Sequence, residues 1–257
     1  MSENENTGSL GRKIFFLHPL AVVKNHLVSE LAQEEFEVYV VTNEVKLRNV
    51  LKKNPDSIVF ANISEGMKES AWDEWIKGIM TDDATSGVDV GIVTGVEDVN
   101  LRRKYTEQFK LSCGFTVLKS DLPSMLKQIM EILNAANAKG RRKYVRAVTG
   151  NETNITVNLP MNGTFVHGVI KDISTVGFSC VFDDDPKIVK NSHFPDIQLR
   201  LQIQLVKAEG IVFGTRMDGD DKIYVILFTQ RTSPDVRTRI RKFIQSFLQA
   251  KMDSELK

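Results

Sequence analysis

Short apolar runs and longer stretches of helical period take turns along the first half of this sequence. The runs KIFFL (13–17), EVYVVT (37–42), SIVFANI (57–63), VDVGIVT (88–94) and GFTVL (114–118) have the length and the β-branched, aromatic character of strands. After each comes a segment with apolar residues three and four apart. These are 21–33, where Val22, Val23, Leu27 and Leu31 share a face, then 44–53, stopped by Asn54-Pro55, a helix through 72–80, one around 98–109, and 122–136. Strands apolar enough to be covered on both faces, each followed by a helix, predict a five-stranded parallel sheet between helix layers. Past residue 150 the pattern changes to strands and turns: 153–159, 164–172, 177–182, 196–204, 205–217 with a break at Gly210, and 222–229. Met161-Asn162-Gly163 and Asp218-Gly219-Asp220-Asp221 mark the hairpins, and the series predicts a six-stranded antiparallel barrel. It closes on a helix over 233–251, begun by Ser233-Pro234, with Val236, Ile240, Phe243, Ile244, Phe247 and Leu248 in one stripe. The expected fold class is therefore α/β plus all-β, with an α/β domain over 12–137 and a barrel domain over 138–252.

Composition agrees with two packed domains. A chain of 257 residues with 42% apolar and 26% charged residues can bury two cores and is not disordered. No apolar run approaches the ~18–20 residues of a membrane-spanning helix, so no membrane insertion is expected. The opening MSENENTGSLGRK is polar and acidic where a signal peptide is basic and then apolar, so the expected location is cytoplasmic. Cys113 and Cys180 stand alone, in no CxxC or Cys/His array, and read as small core residues rather than a disulfide framework or a metal site.

Charge is what separates the halves. Residues 1–138 carry 15 Lys+Arg against 20 Asp+Glu, while 139–257 carry 19 against 13. Most of the excess lies in the octapeptide KGRRKYVR (139–146), with five positive charges and no acid. The basic character belongs to one arm, 139–147, rather than to the whole domain.

Over 12–137 the five strand–helix units resemble the flavodoxin-like fold of response-regulator receiver domains. That resemblance implies two acids after the first strand to hold Mg²⁺ and an Asp after the third to take a phosphoryl group. Here the first strand ends Leu17-His18-Pro19 and the third Ala61-Asn62, so the expectation is a pseudo-receiver without phosphotransfer. Thr94 and Lys119 stand where the family keeps a hydroxyl and a lysine. Without the acids they read as a strand end and a surface charge. His18 reads as structural or solvent-facing, and Trp72 and Trp75, three apart on a helix, as packing.

The second half carries a sharper pattern. Arg142-Lys-Tyr-Val-Arg146 is an RxxxR motif, and Asp172-Ile-Ser174-Thr-Val-Gly177 is a [D/N]xSxxG motif, in that order with 25 residues between Arg146 and Asp172. Together with the barrel strands and final helix they resemble the PilZ family over about 139–252, whose members bind the second messenger cyclic di-GMP. The resemblance implies a ligand site of Arg142, Arg146, Asp172, Ser174 and Gly177. Arg141 extends it to RRxxxR, which implies room for a second ligand molecule. The chemistry is consistent: arginine pairs with guanine O6 and N7, stacks on bases and neutralises phosphate, and a carboxylate accepts from the guanine N1 and N2 edge. Ser174 would add a hydrogen bond to that edge or to a phosphate, and Gly177 would permit a tight turn and close backbone approach.

No GGDEF or EAL motif is present, and the expected function is a non-enzymatic effector. Cyclic di-GMP would be its ligand, with no cofactor and no metal. The arm would become ordered on binding and reorient the two domains toward a protein partner the sequence does not name. Two alternatives stay open, a nucleic-acid-binding barrel using the basic arm and a phosphorylatable receiver with an atypical acceptor. Against nucleic acid stand a net charge of only +1 on 147–257 and the strand aromatics Phe165, Phe178, Phe182, Phe213, Tyr224 and Phe228, most of which fit core alternation.

Overall fold

The structure, a computed structural model, describes residues 11–118, 121–140, 143–150 and 152–256. The chain divides into two compact units, one made of residues up to Lys143 with Gln249–Lys257, the other of Tyr144–Leu248.

In the first unit the strands are β1 (Lys13–Leu17), β2 (Val38–Val41), β3 (Ser57–Ala61), β4 (Asp89–Thr94) and β5 (Phe115–Val117). They form one parallel sheet in the order β2-β1-β3-β4-β5. Five strands in that order put β3 in the centre, between β1 and β4, and β3 is buried along its whole length. The helices are α1 (Val28–Gln33), α2 (Glu44–Lys53), α3 (Glu69–Thr81), α4 (Val99–Arg103) and α5 (Leu122–Ala135). Side chains cap the N-termini of three of them: Asn43 accepts from Lys46 N at α2, Asp98 from Asn100 and Leu101 N at α4, and Asp121 from Ser124 N at α5. The helical segments expected at 21–33 and 98–109 are present but not uniform. A π-helical turn, Val23–Leu27, runs into α1, and another, Lys104–Gln108, follows α4. One face of the sheet contributes Ile14, Phe16, Ile58 and Phe60 to a core with Leu27, Leu31, Met125, Ile129 and Leu133.

The second unit contains β6 (Arg146–Val148), β7 (Ile155–Met161), β8 (Thr164–Ser174), β9 (Gly177–Phe182), β10 (His193–Leu201), β11 (Gln204–Asp218) and β12 (Asp221–Phe228). The order β8-β7-β10-β11-β12-β9 closes through β8–β9 pairing into a six-stranded antiparallel barrel. Closure removes the sheet edges. The short β6 pairs with the far half of β8, beyond the stretch paired with β7. The final helix, α6 (Pro234–Glu255), places Ile240, Phe243, Ile244 and Phe247 in the barrel core.

Two expectations are corrected here. The fifth barrel strand does not break at Gly210, which pairs with both Phe194 and Phe228. A Cβ there would lie 2.8 Å from Ile197 Cδ1 and from Ile226 Cγ2, so the missing side chain makes room for the core. The ladder shifts instead between Val212 and Gly214. The fourth barrel strand starts at His193, earlier than 196, and carries an irregularity between Phe194 and Ile197 where Pro195 has no N–H to give the ladder. Of the six strand aromatics, Phe178, Phe182, Tyr224 and Phe228 occupy the core, as their alternation implies, and Phe165 and Phe213 face outward.

Both cysteines are buried and free. Burial pushes the Cys113 thiol up to about 12 and Cys180 higher still. Trp72 and Trp75 are buried, with their indole N–H groups on the carbonyls of Glu65 and Glu44. Among the described residues no helix is long and apolar enough to cross a membrane, and no group of three His, Cys, Asp or Glu is placed to hold a metal ion.

Candidate functional site

The two sequence motifs meet on the outer face of β8. In a regular strand Asp172, two residues after the core residue Ile170, would point inward. A bulge prevents this: Ile170 pairs with Cys180 and Asp172 with Ser179, which leaves Lys171 as the extra residue. The alternation is reset, so Ile173 joins Ile170 in the core and Asp172 faces out. The backbone at the bulge stays bonded. Thr149 N donates to the Lys171 carbonyl at 2.9 Å and Thr149 Oγ1 to the Ile170 carbonyl at 2.5 Å.

Arg146 reaches this carboxylate from β6, where it pairs with Ser174 while Val148 pairs with Asp172. Its Nη1 lies 3.3 Å from Asp172 Oδ1, with the side chains 46% and 18% exposed. The other carboxylate oxygen accepts from the Ser179 hydroxyl. A carboxylate offers about four acceptor positions, so these two donors do not exhaust it. The arm was expected to be flexible throughout. Arg146 instead stands on a strand, because the β8 backbone beyond its β7 partner needs a ladder and residues 146–148 supply it.

The remaining motif residues shape the turn. Ser174 is only 3% exposed; its hydroxyl donates to the Gly177 carbonyl at 3.1 Å and accepts from Val176 N at 3.4 Å. The expectation placed this hydroxyl toward a ligand, and the structure places it within the turn. Gly177 pairs with Leu227, and a Cβ added to it would lie 2.4 Å from the Ile226 carbonyl oxygen. Close approach of the β12 backbone, rather than a turn conformation, requires glycine there. Arg141 and Arg142 lie outside the described residues, as does Lys119.

Ser179 was missed from sequence although its signal was present. In GFSCVF the core takes Phe178, Cys180 and Phe182, so the hairpin alternation sets Ser179 outward, opposite Asp172.

At the C-terminal ends of the parallel strands, the His18 ring is 3.1 Å from Glu44 Oε2 and meets Trp72 edge to face. Asn62 is buried; its Nδ2 donates to the His18 carbonyl, and its Oδ1 accepts from Ser64 N. Thr94 Oγ1 accepts from Val96 N at 3.2 Å. The Glu44 carboxyl is held below its usual range, foremost by a hydrogen bond from its own backbone N–H and further by His18.

No protein-family model matches the chain, and no curated protein does. Among solved structures it is similar to the PilZ domain of YcgR from Escherichia coli with c-di-GMP, at 14% identity and a TM-score of 0.38. That match covers 44% of this chain and 96% of the other. Intact YcgR from Escherichia coli in complex with c-di-GMP matches at 14% and 0.39, over 44% of this chain and 49% of that one. The MrkH–c-di-GMP complex from K. pneumonia matches at 20% and 0.39, over 44% and 55%. The chain thus spans nearly all of an isolated domain but about half of the two longer proteins, and over that stretch it is similar to PilZ domains.

Proposed function

We propose that this chain is a non-enzymatic receptor for cyclic di-GMP, with a pseudo-receiver domain over 12–137 and the ligand domain over 138–252. The observation that carries the reading is the Arg146–Asp172 pair: two motif residues from distant segments meet on the outer face of the barrel, one of them half exposed. In the free protein each charge satisfies the other. On binding, Arg146 turns to guanine O6/N7 or a phosphate and Asp172 accepts from the guanine N1 and N2 edge, so a protein pair is exchanged for two charge-assisted ligand bonds. Arg141 and Arg142, five and four residues upstream of Arg146, supply further cations from the arm. Ser174 and Gly177 hold the turn that presents Asp172. Ordering of the arm, which joins the two domains, then changes how they are held and presents a surface to a protein partner.

Isothermal titration of cyclic di-GMP into the intact protein and into a folded Arg142→Ala/Arg146→Ala variant tests this. Saturable binding that the variant loses is the expected result, and one or two ligands per chain reads out the role of Arg141. No binding to the intact protein overturns the proposal. Small-angle scattering with and without saturating ligand tests the reorientation separately, and an identical profile overturns that step alone.

A further inference from the structure

The Asp172–Gly177 turn is held from outside by a residue that belongs to neither motif. Arg237, the fourth residue of α6, donates from Nη1 to the Thr175 carbonyl at 2.8 Å and from Nη2 to the Thr229 carbonyl at 2.7 Å. Thr175 is at the tip of the turn and Thr229 follows the last residue of β12. Between these bonds Phe228 N donates to the Val176 carbonyl at 2.9 Å. The two residues of the turn tip therefore each give their carbonyl to a donor from the β12–α6 segment. The planar guanidinium holds its two terminal nitrogens at a fixed spacing toward these two carbonyls, a geometry that a single ammonium nitrogen does not preset.

We infer that Arg237 is the positioning residue of the ligand site, coupling the Asp172–Gly177 turn to the first turn of α6. This rests on the receptor reading above. A recognition carboxylate must be held to within about half an ångström to be selective, and Asp172 is three residues from the carbonyl that Arg237 grips. The coupling is reciprocal: whatever fixes the turn also fixes Arg237 and the start of α6. Ligand at the barrel face is thereby reported on a helix that touches no ligand.

The test uses the full-length protein and the variants Arg237→Ala and Arg237→Lys. In titrations well below the unfolding temperature, the Kd for cyclic di-GMP rises about tenfold or more in both variants, with stoichiometry unchanged. A merely structural residue would lower Tm and leave Kd alone, and that result overturns the inference. So does recovery of the wild-type Kd by lysine, since it removes the need for the fork. Amide exchange of the ligand-free protein is the second measurement, independent of any ligand. Phe228 exchanges faster in Arg237→Ala if the clamp holds the turn, and unchanged protection overturns it. In the wild type, ligand slows exchange over residues 237–241. Failure of the intact protein to bind would remove the receptor reading, and the exchange at Phe228 would then judge the clamp by itself.

Discussion

Two strand-end regions of this molecule handle polar side chains in opposite ways. At the ends of β1, β3 and β4 the polar groups answer one another or the backbone: His18 meets Glu44, Asn62 bonds the chain on both sides, and two tryptophans lie buried beside them with their N–H groups on carbonyls. At the end of β8, Arg146 and Asp172 form an ion pair at 3.3 Å with one member half exposed, and the second carboxylate oxygen accepts from the Ser179 hydroxyl. An exposed pair of this kind is worth little to folding, so replacing it by a ligand costs little. Where bonds run to backbone, opening the site means breaking the fold. The contrast separates polar groups tied into the fold from the pair that the proposed ligand would take over.

The largest effect that would break this contrast is on the first region. Trp72→Ala empties a fully buried site and should cost about 3–5 kcal/mol in a urea melt of the first unit, while cyclic di-GMP still titrates with its wild-type Kd. A changed Kd would mean the regions are not separable. Asp172→Ala reverses the pattern: Kd rises roughly ten- to a hundredfold by titration, with stability lowered by about 1–2 kcal/mol, chiefly because the buried Ser179 hydroxyl loses its acceptor. Gly177→Ala falls between, because its Cβ would collide with the Ile226 carbonyl; about 1–3 kcal/mol of stability is lost, and binding weakens with it.

The smallest effect is a pH dependence. Glu44 has a folded pKa below its unfolded value, so its contribution is complete above the ordinary carboxylate range and is lost as pH falls through the lowered pKa. Acid melts of the first unit should show this decline, and Glu44→Gln should flatten it.

The sequence made the layers legible because both periods are long and clean. Five parallel strands and six antiparallel ones appear close to the expected places, since burial on both faces of β3 and alternation along β7 are local signals. What stayed hidden depends on partners far along the chain. The strand at Arg146 exists because β8 has an unpaired stretch, and three residues with one buried side chain announce nothing by themselves. The bulge at Lys171, which turns Asp172 outward, is fixed by pairing with β9 rather than by its own residue type. Ser174 was legible as a motif member but not as a turn-holding group, because its burial follows from barrel closure.

The short β8–β9 connection has a kinetic consequence. Only Thr175 and Val176 separate the two strands, and β7–β8, β10–β11 and β11–β12 are likewise joined through two residues, so these four hairpins close with little loop entropy, whereas Ile155 must find Leu201 across two intervening strands. Such hairpins are the natural first structures on the folding route, and the long-range β7–β10 and β9–β12 pairings join them later. Gly177 belongs both to the β8–β9 hairpin and to the long-range β9–β12 pairing, so slower refolding of Gly177→Ala would mark its contact with β12 as formed early on the route, and faster unfolding would mark it as formed late.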